Sequence, residues 1–180
     1  MAQVTREDWI SAGINQLRVH GPHNLSGEKL ARRLDVTRGS FYHHFRNMDD
    51  FVDLLLDEWE QTYTRHQLQD AHDRGGSPRA EMNLLMEAAW NADTDLEIAV
   101  RQWAFSNPRV RQRVEIVDHF RLERIHQLYR QITGDDPKSA KLAQIAYYGL
   151  LGLIHAWPRR NRDEMRSMIL DIQNMLLNDL

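Results

Sequence analysis

The 180-residue chain has no cysteine, so it offers neither a disulfide framework nor a thiolate nucleophile, and any metal site would have to be built from histidine and carboxylate. That suits a reducing cytoplasm. No apolar run approaches the ~18 residues that a membrane helix needs, and the opening residues, MAQVTREDW, lack the apolar stretch of a secretory signal. The expectation is a cytoplasmic protein, neither exported nor membrane-spanning. Strand-like alternation and internal repeats are not found. Catalytic signatures are missing too: there is no nucleophile elbow, Walker loop or HExxH pair. His119 and His126 lie seven residues apart without a third ligand, and the adjacent His43 and His44 point in different directions on a helix. No catalytic residue, metal or cofactor is expected, and no enzymatic activity.

The formal charge of -3 conceals an asymmetry. Residues 1–48 carry seven Lys/Arg (Arg6, Arg18, Lys29, Arg32, Arg33, Arg38, Arg46) against four acids, a local +3 that leaves -6 for the rest, and four of the nine histidines lie there as well. A basic head on an acidic body fits a phosphate-facing module joined to something else, although ordinary surface variation gives similar sums.

Helical periodicity fills the chain. Ile10, Ile14 and Leu17 share a face, and Gly21-Pro22 stops that pattern, giving a first helix over about 6–20. Ser26 can cap a second helix running to about Leu34, with Leu25 and Leu30 as a hydrophobic staple. Thr37 repeats the device with Val36 and Phe41, opening a third helix over about 38–45. Only Asp35 and Val36 separate these two helices, room for a tight turn and nothing more, which is helix-turn-helix geometry. A fourth helix begins near Asn47 and continues toward Arg74, where Gly75-Gly76-Ser77-Pro78 ends it. Further helices are expected at about 79–91, 95–106, 108–133, 137–157 and 161–179, with Asn107-Pro108 and Asp136-Pro137 as cap-proline starts. The fold class is all-α with about nine helices. Residues 1–48 are expected to form an N-terminal three-helix helix-turn-helix domain, and residues 49–180 a helical second domain.

The informative segment is SGEKLARRLDVTRGSFYHHFRNMDDF, residues 26–51. Phe41 and Phe45 face inward by periodicity, which leaves Arg38, Ser40, Tyr42, His43 and His44 on the other sides of a short helix. Arg38 can reach a guanine edge bidentately, Ser40 can meet a base edge, and Tyr42 and the histidines suit phosphate oxygens. Backbone N–H groups at the starts of the second and third helices extend the set to Ser26, Lys29 and Thr37. Gly39 has no side chain to hold the backbone off the groove floor. Each residue also has a plainer explanation: Tyr42 packed inward, or the histidine pair as a solvated surface.

The spacing of Gly21, Ser26, Leu34-Asp35-Val36 and Tyr42-His43-His44-Phe45 resembles the TetR family of bacterial regulators, over about residues 6–56 without a gap. The resemblance implies a regulator, more often a repressor, that binds a palindromic operator in double-stranded DNA as a homodimer and is released by a small-molecule effector. Two positions depart from the pattern. Position 48, often Lys in that family, is Met48, which leaves the fourth-helix phosphate contact without its usual side chain. Glu28 puts an acid near the DNA face, where it could tune base choice, cap the second helix, or pair with Lys29 or Arg32. These two residues are what favours the alternative reading, a helical interaction module or a regulator without DNA-binding activity.

The body carries two large apolar stripes. Residues 141–157 are apolar nearly all round, and Met165, Met168, Ile169, Ile172, Met175 and Leu176 form a second stripe. A partner subunit or the chain's own core could cover them. The resemblance implies the former, a two-fold bundle through about 137–157 and 161–179, with Gly149 and Gly152 allowing close approach. For an effector pocket the candidates are Trp90, Arg101, Trp103, Phe105, Phe120, Arg121 and Tyr147. His119, His126 and Tyr148 stand nearby in sequence, and aromatics at this density also serve simply as core.

Overall fold

A Ser, Thr, Asn or Asp stands before nearly every helical run of this chain, and most of them cap as their chemistry dictates. The computed structural model describes residues 4–178. The helices are α1 Arg6–His20, α2 Gly27–Arg33, α3 Arg38–His44, α4 Met48–Glu60, α5 His66–Gly75, α6 Pro78–Asn91, α7 Thr94–Ala104, α8 Pro108–Thr133, α9 Asp136–His155 and α10 Arg162–Asn178. A 3-10 turn at Pro22–Asn24 follows α1, and a π-helical turn at Gln61–Arg65 joins α4 to α5 without a break. The described residues thus form nine helical rods and no strand, the all-α class expected. Residues 1–3, and residue 179 of the expected terminal helix, lie outside the described residues.

Caps set the helix starts. Thr5 and Asp8 close a reciprocal box on α1: the Thr5 side chain accepts from the Asp8 amide, and Asp8 accepts from the Thr5 amide at 2.8 Å. Ser26, Asn47, Ser77 and Asp93 each accept from an amide in the first turn of α2, α4, α6 and α7. Asn107 accepts from the Arg109 and Val110 amides at 3.0 and 3.3 Å. Two expectations need correcting. The cap of α9 is Asp135, which accepts from the Lys138 amide, so Asp136 is the first helical residue. Adjacent aspartates make that position ambiguous from sequence. Thr37 holds the cap position of α3 in extended backbone, but its side chain makes no capping hydrogen bond.

The turn between α2 and α3 is closed by two backbone bonds, Val36 N to Ala31 O at 3.0 Å and Asp35 N to Arg32 O at 3.3 Å. These are the paired bonds of a Schellman ending. They place Asp35 in the left-handed region at φ 54°, which Asp tolerates better than a β-branched residue does.

By contacts the chain divides into two units. The first comprises the residues up to Thr62 together with Asp93–Glu115, the second Tyr63–Ala92 together with the residues from Ile116 onward. The domain boundary expected at residue 48 marks the end of the helix-turn-helix; the first unit also takes in α4, α7 and the start of α8, because α1 packs on both α4 and α7.

The inward stripe of α1 is Trp9, Ala12, Gly13 and Leu17, rotated from the Ile10-Ile14-Leu17 face that periodicity suggests; Ile10 and Ile14 are half-buried. Small residues explain the rotation. A β-carbon at Gly13 would lie 2.5 Å from Phe51 Cζ and 2.9 Å from Leu55 Cδ1, so the missing side chain is what allows α4 to approach. In the same unit, buried Glu97 accepts from Trp59 Nε1 at 3.3 Å and from Arg101 Nε at 2.8 Å. Arg109 pairs with Asp53 at 2.7 Å, and Arg113 with Asp57 and Glu60, tying the start of α8 to α4.

In the second unit α5 and α6 form a hairpin turned at Gly76, whose φ is 68°. Its core holds Met82, Leu128, Tyr129, Leu142 and Ala143. Buried Glu81 pairs with Arg124 and lies 3.3 Å from His72 Nδ1. Arg121 donates to Thr64 Oγ1 at 2.9 Å and to the Tyr63 carbonyl at 3.2 Å, both in the π turn, where the widened ladder leaves backbone acceptors to be met.

Gly13→Ala should lower stability by about 1–3 kcal/mol in urea unfolding, because overpacking against Phe51 outweighs the ~1 kcal/mol helix-propensity gain of alanine. The Asp50 carboxyl is held below its ordinary 3.8, first by the Arg46 side chain and then by the Arg46 backbone N–H. A depressed carboxylate stabilises the fold above its unfolded value and loses that contribution as pH falls through the folded one. The gap in thermal midpoint between wild type and Asp50→Asn should therefore be constant near neutrality and shrink below the ordinary value of 3.8.

Candidate nucleic-acid interface

Helix α3 is only seven residues long, and in isolation a helix of that length would not hold in water. Its position comes from below. Phe41 and Phe45 are 1% exposed and their rings lie 4.9 Å apart. Trp9 meets Phe41 edge-on at 5.4 Å, and Phe51 meets Phe45 at 4.9 Å and Phe41 at 5.5 Å. Burying each such ring is worth roughly 1.5–3 kcal/mol, and each well-placed aromatic pair ~0.5–1.5 kcal/mol more. Among the described residues Trp9 Nε1 has no hydrogen-bond partner, a cost of ~1–3 kcal/mol that the surrounding rings offset.

With that side fixed, the opposite side of α3 is open. Arg38, Gly39 and His43 are exposed, Ser40 is half-buried, and Tyr42 is 53% exposed with its ring edge-on to Phe41 at 5.4 Å. The Tyr42 hydroxyl one turn along, and then the charge of Glu28, hold the Arg38 guanidinium above its ordinary range. The two side chains are thus neighbours on the open side of α3. A β-carbon at Gly39 would meet only Thr37 Oγ1, at 3.6 Å, so space rather than packing surrounds that residue.

The beginning of α2 adds a second group. Ser26 Oγ accepts from the Lys29 amide at 3.3 Å, and Lys29 Nζ donates to Asn24 Oδ1 at 2.5 Å. Asn24 in turn donates to the His20 carbonyl at 3.1 Å, so the ammonium is held against the end of α1. Asn24 was not readable as a positioning residue, because its partners are set by the 3-10 turn. Glu28 pairs with Arg32 on its own helix, which settles one of the options left open by sequence.

Of the nine candidate residues, eight lie on this exposed or half-exposed surface and one turns away. The His44 ring sits 6.4 Å from Trp9 and 6.1 Å from Phe45, half-buried at the edge of the aromatic cluster. Arg46 follows α3 directly, is 85% exposed and bonds Asp50 at 2.7 Å; it places a cation beside Met48, which has none. An Arg fork with a neighbouring phenol can read a base edge while hydroxyls and an ammonium take phosphate oxygens.

The seven residues considered for an effector pocket do not converge. Arg101 is paired with Glu97, Trp103 is buried in the first unit, and Phe105 is 84% exposed. In the second unit Phe120 lies under Arg65 at 4.8 Å, Trp90 under Arg166 at 5.7 Å, and Arg121 is engaged with the π turn. Only Tyr147 lines the second unit's apolar cavity. No group of three or more metal-ligating side chains occurs among the described residues.

Residues 10–55 match the sequence profile of a family described as bacterial regulatory proteins, tetR family. The transcriptional regulator AcuR of Cereibacter sphaeroides is 28% identical over 88 residues, 49% of this chain and 40% of that regulator's length. A TetR-family transcriptional regulator from Streptomyces coelicolor has the same fold, with a TM-score of 0.83 at 16% identity over 97% of this chain and 94% of the other. A transcriptional regulator from Saccharomonospora viridis, solved in complex with choline, superposes with a TM-score of 0.78 at 16% identity over 92% and 93%. At those identities the structures speak for the fold alone. The profile covers the helix-turn-helix with the residues described above, and in that segment the chain is similar to the tetR family of bacterial transcriptional regulators.

Proposed function

We propose that the protein is a cytoplasmic repressor that binds a palindromic operator as a homodimer and is released by a small-molecule effector. It acts through binding and catalyses nothing. The observation that carries the reading is the Arg38-Tyr42 pair, exposed on a short helix whose other side is locked by four aromatic rings. Ser26, Lys29, Thr37, Gly39, Ser40 and His43 complete the DNA face, with Arg46 supplying a phosphate-binding cation.

Dimerisation is supported by the outer face of α9. Lys141, Ile145, Tyr148, Gly152 and His155 follow one another at helical spacing and all are exposed, Ile145 at 55% and Tyr148 at 57%. A β-carbon at Gly152 would meet nothing within 4 Å, so room is left for a second helix to approach. Met175, 71% exposed on α10, adds to the apolar surface. Two copies joined this way would hold two recognition helices about one DNA turn, ~34 Å, apart. The choline bound by one fold neighbour supports a small-molecule effector in this class of body.

Selection from a random DNA pool at near-physiological salt, with sedimentation of the same preparation, tests the reading. An enriched palindrome, retained with a steep salt dependence by a dimer, is expected; a folded dimer that enriches nothing would overturn it. At the selected site Arg38→Ala should relax base preference at one position per half-site, costing about 1–3 kcal/mol, whereas Tyr42→Ala weakens binding to all sequences. Because the two side chains are neighbours one turn apart, Tyr42→Phe and Arg38→Ala should be non-additive by ~0.5 kcal/mol or more in a double-mutant cycle.

A further inference from the structure

The second unit contains a cavity walled by α6, α8, α9 and α10, with a volume of about 80 Å³. A single water needs roughly 10–15 Å³, so the space takes several such groups and is more than a packing defect. Its walls are Met82, Met86, Ile125, Leu150, Ile169 and other apolar side chains, with Tyr129, Tyr147 and Gln173 as the polar members; none carries a charge at neutral pH. The Tyr147 hydroxyl donates to Asp118 Oδ1 at 2.6 Å, and Gln173 Nε2 to Asn83 Oδ1 at 3.4 Å. Both have partners inside the unit. Tyr129 is 1% exposed, and burial pushes its phenol up to about 12, so it is a neutral donor throughout the physiological range.

We propose that this cavity binds an uncharged, mainly aromatic or aliphatic small molecule whose single hydrogen-bond acceptor meets the Tyr129 hydroxyl. An anion entering it would lose its hydration with no cation in the walls to replace it, and would come near the Asp118 carboxylate behind Tyr147. A cation would find no carboxylate in the walls. Methionine at two wall positions lets the cavity adapt to guests of differing shape. Two walls, α9 and α10, also present the exposed face assigned above to the partner subunit, so a guest would bear on that face from behind. The inference gives the effector of the proposed function a site and a chemical class, and rests on that reading only for its biological consequence.

The full-length protein can be titrated with N-phenyl-1-naphthylamine, which is neutral, and with 8-anilinonaphthalene-1-sulfonate, the same rings bearing an anion. The neutral probe should show saturable one-to-one fluorescence enhancement at least tenfold tighter than the sulfonate. Ala146→Phe or Ala89→Phe, each filling the cavity, should weaken it at least tenfold while leaving the thermal unfolding cooperative. If either variant fails to fold, the other carries the test. Prodan, a neutral naphthalene ketone, should lose about fivefold in Tyr129→Phe, where the acceptor-free probe is unchanged. Equal affinity for both charge types, or binding unaffected by both filling variants, would overturn the proposal. Operator binding is read in parallel: a protein that retains its operator but fails these probe tests refutes the cavity assignment and leaves the regulator standing. Specific probe binding that does not disturb the operator complex supports the cavity and refutes effector release.

Discussion

The aromatic cluster of Trp9, Phe41, Phe45 and Phe51 is the contact on which the rest of the open surface of the helix-turn-helix depends. A seven-residue helix has too few internal hydrogen bonds to hold itself, so its direction is that of whatever its buried side grips. Here three elements grip it: α1 through Trp9, α4 through Phe51, and α2 through Gly27 against Phe41 and the turn at Asp35. Gly13 belongs to the same arrangement, since a β-carbon there would keep Phe51 from lying where it meets Phe45. Strain and an orphaned indole N–H are accepted in exchange for a platform with one allowed geometry.

The two units are held by different chemistry. In the first, buried Glu97 accepts from both Trp59 and half-buried Arg101, and arginines of α8 clasp carboxylates of α4, so its polar groups are fixed in place. Directional bonds of this kind leave few alternative packings. In the second, the space among α6, α8, α9 and α10 is lined by methionine, leucine and isoleucine, and remains partly unfilled. Non-directional contacts tolerate a guest that directional ones would exclude. The polar groups of the second unit sit at its edges instead, with Glu81 held by Arg124 and Asp118 holding Tyr147.

Much of the fold is legible in the residues themselves. The start and end of α1, the Ser26 and Asn47 caps, and the inward side of α3 all follow from local rules, because capping and short-range periodicity act within four or five residues. The failures have local causes too. Adjacent aspartates hid the true cap of α9, and counting only large apolar residues on α1 overlooked a stripe in which Ala12 and Gly13 are the contact. The pocket was the least readable feature. Aromatic side chains are the obvious candidates, yet most of them are core, exposed or beneath arginines, and the cavity walls are mainly aliphatic residues of no distinctive pattern, with Tyr129 and Tyr147 among them.

By itself, then, the sequence determined which segments are helical, that two short helices meet at a two-residue turn, and which side of α3 is left for a partner, since those depend on neighbours in the chain. Tertiary structure alone decided that His44 belongs to the core edge, that Arg121 serves the π turn, and where empty space remains. Each of those depends on side chains brought together from distant positions, or on rotamers chosen by packing, and no spacing rule along one chain encodes them.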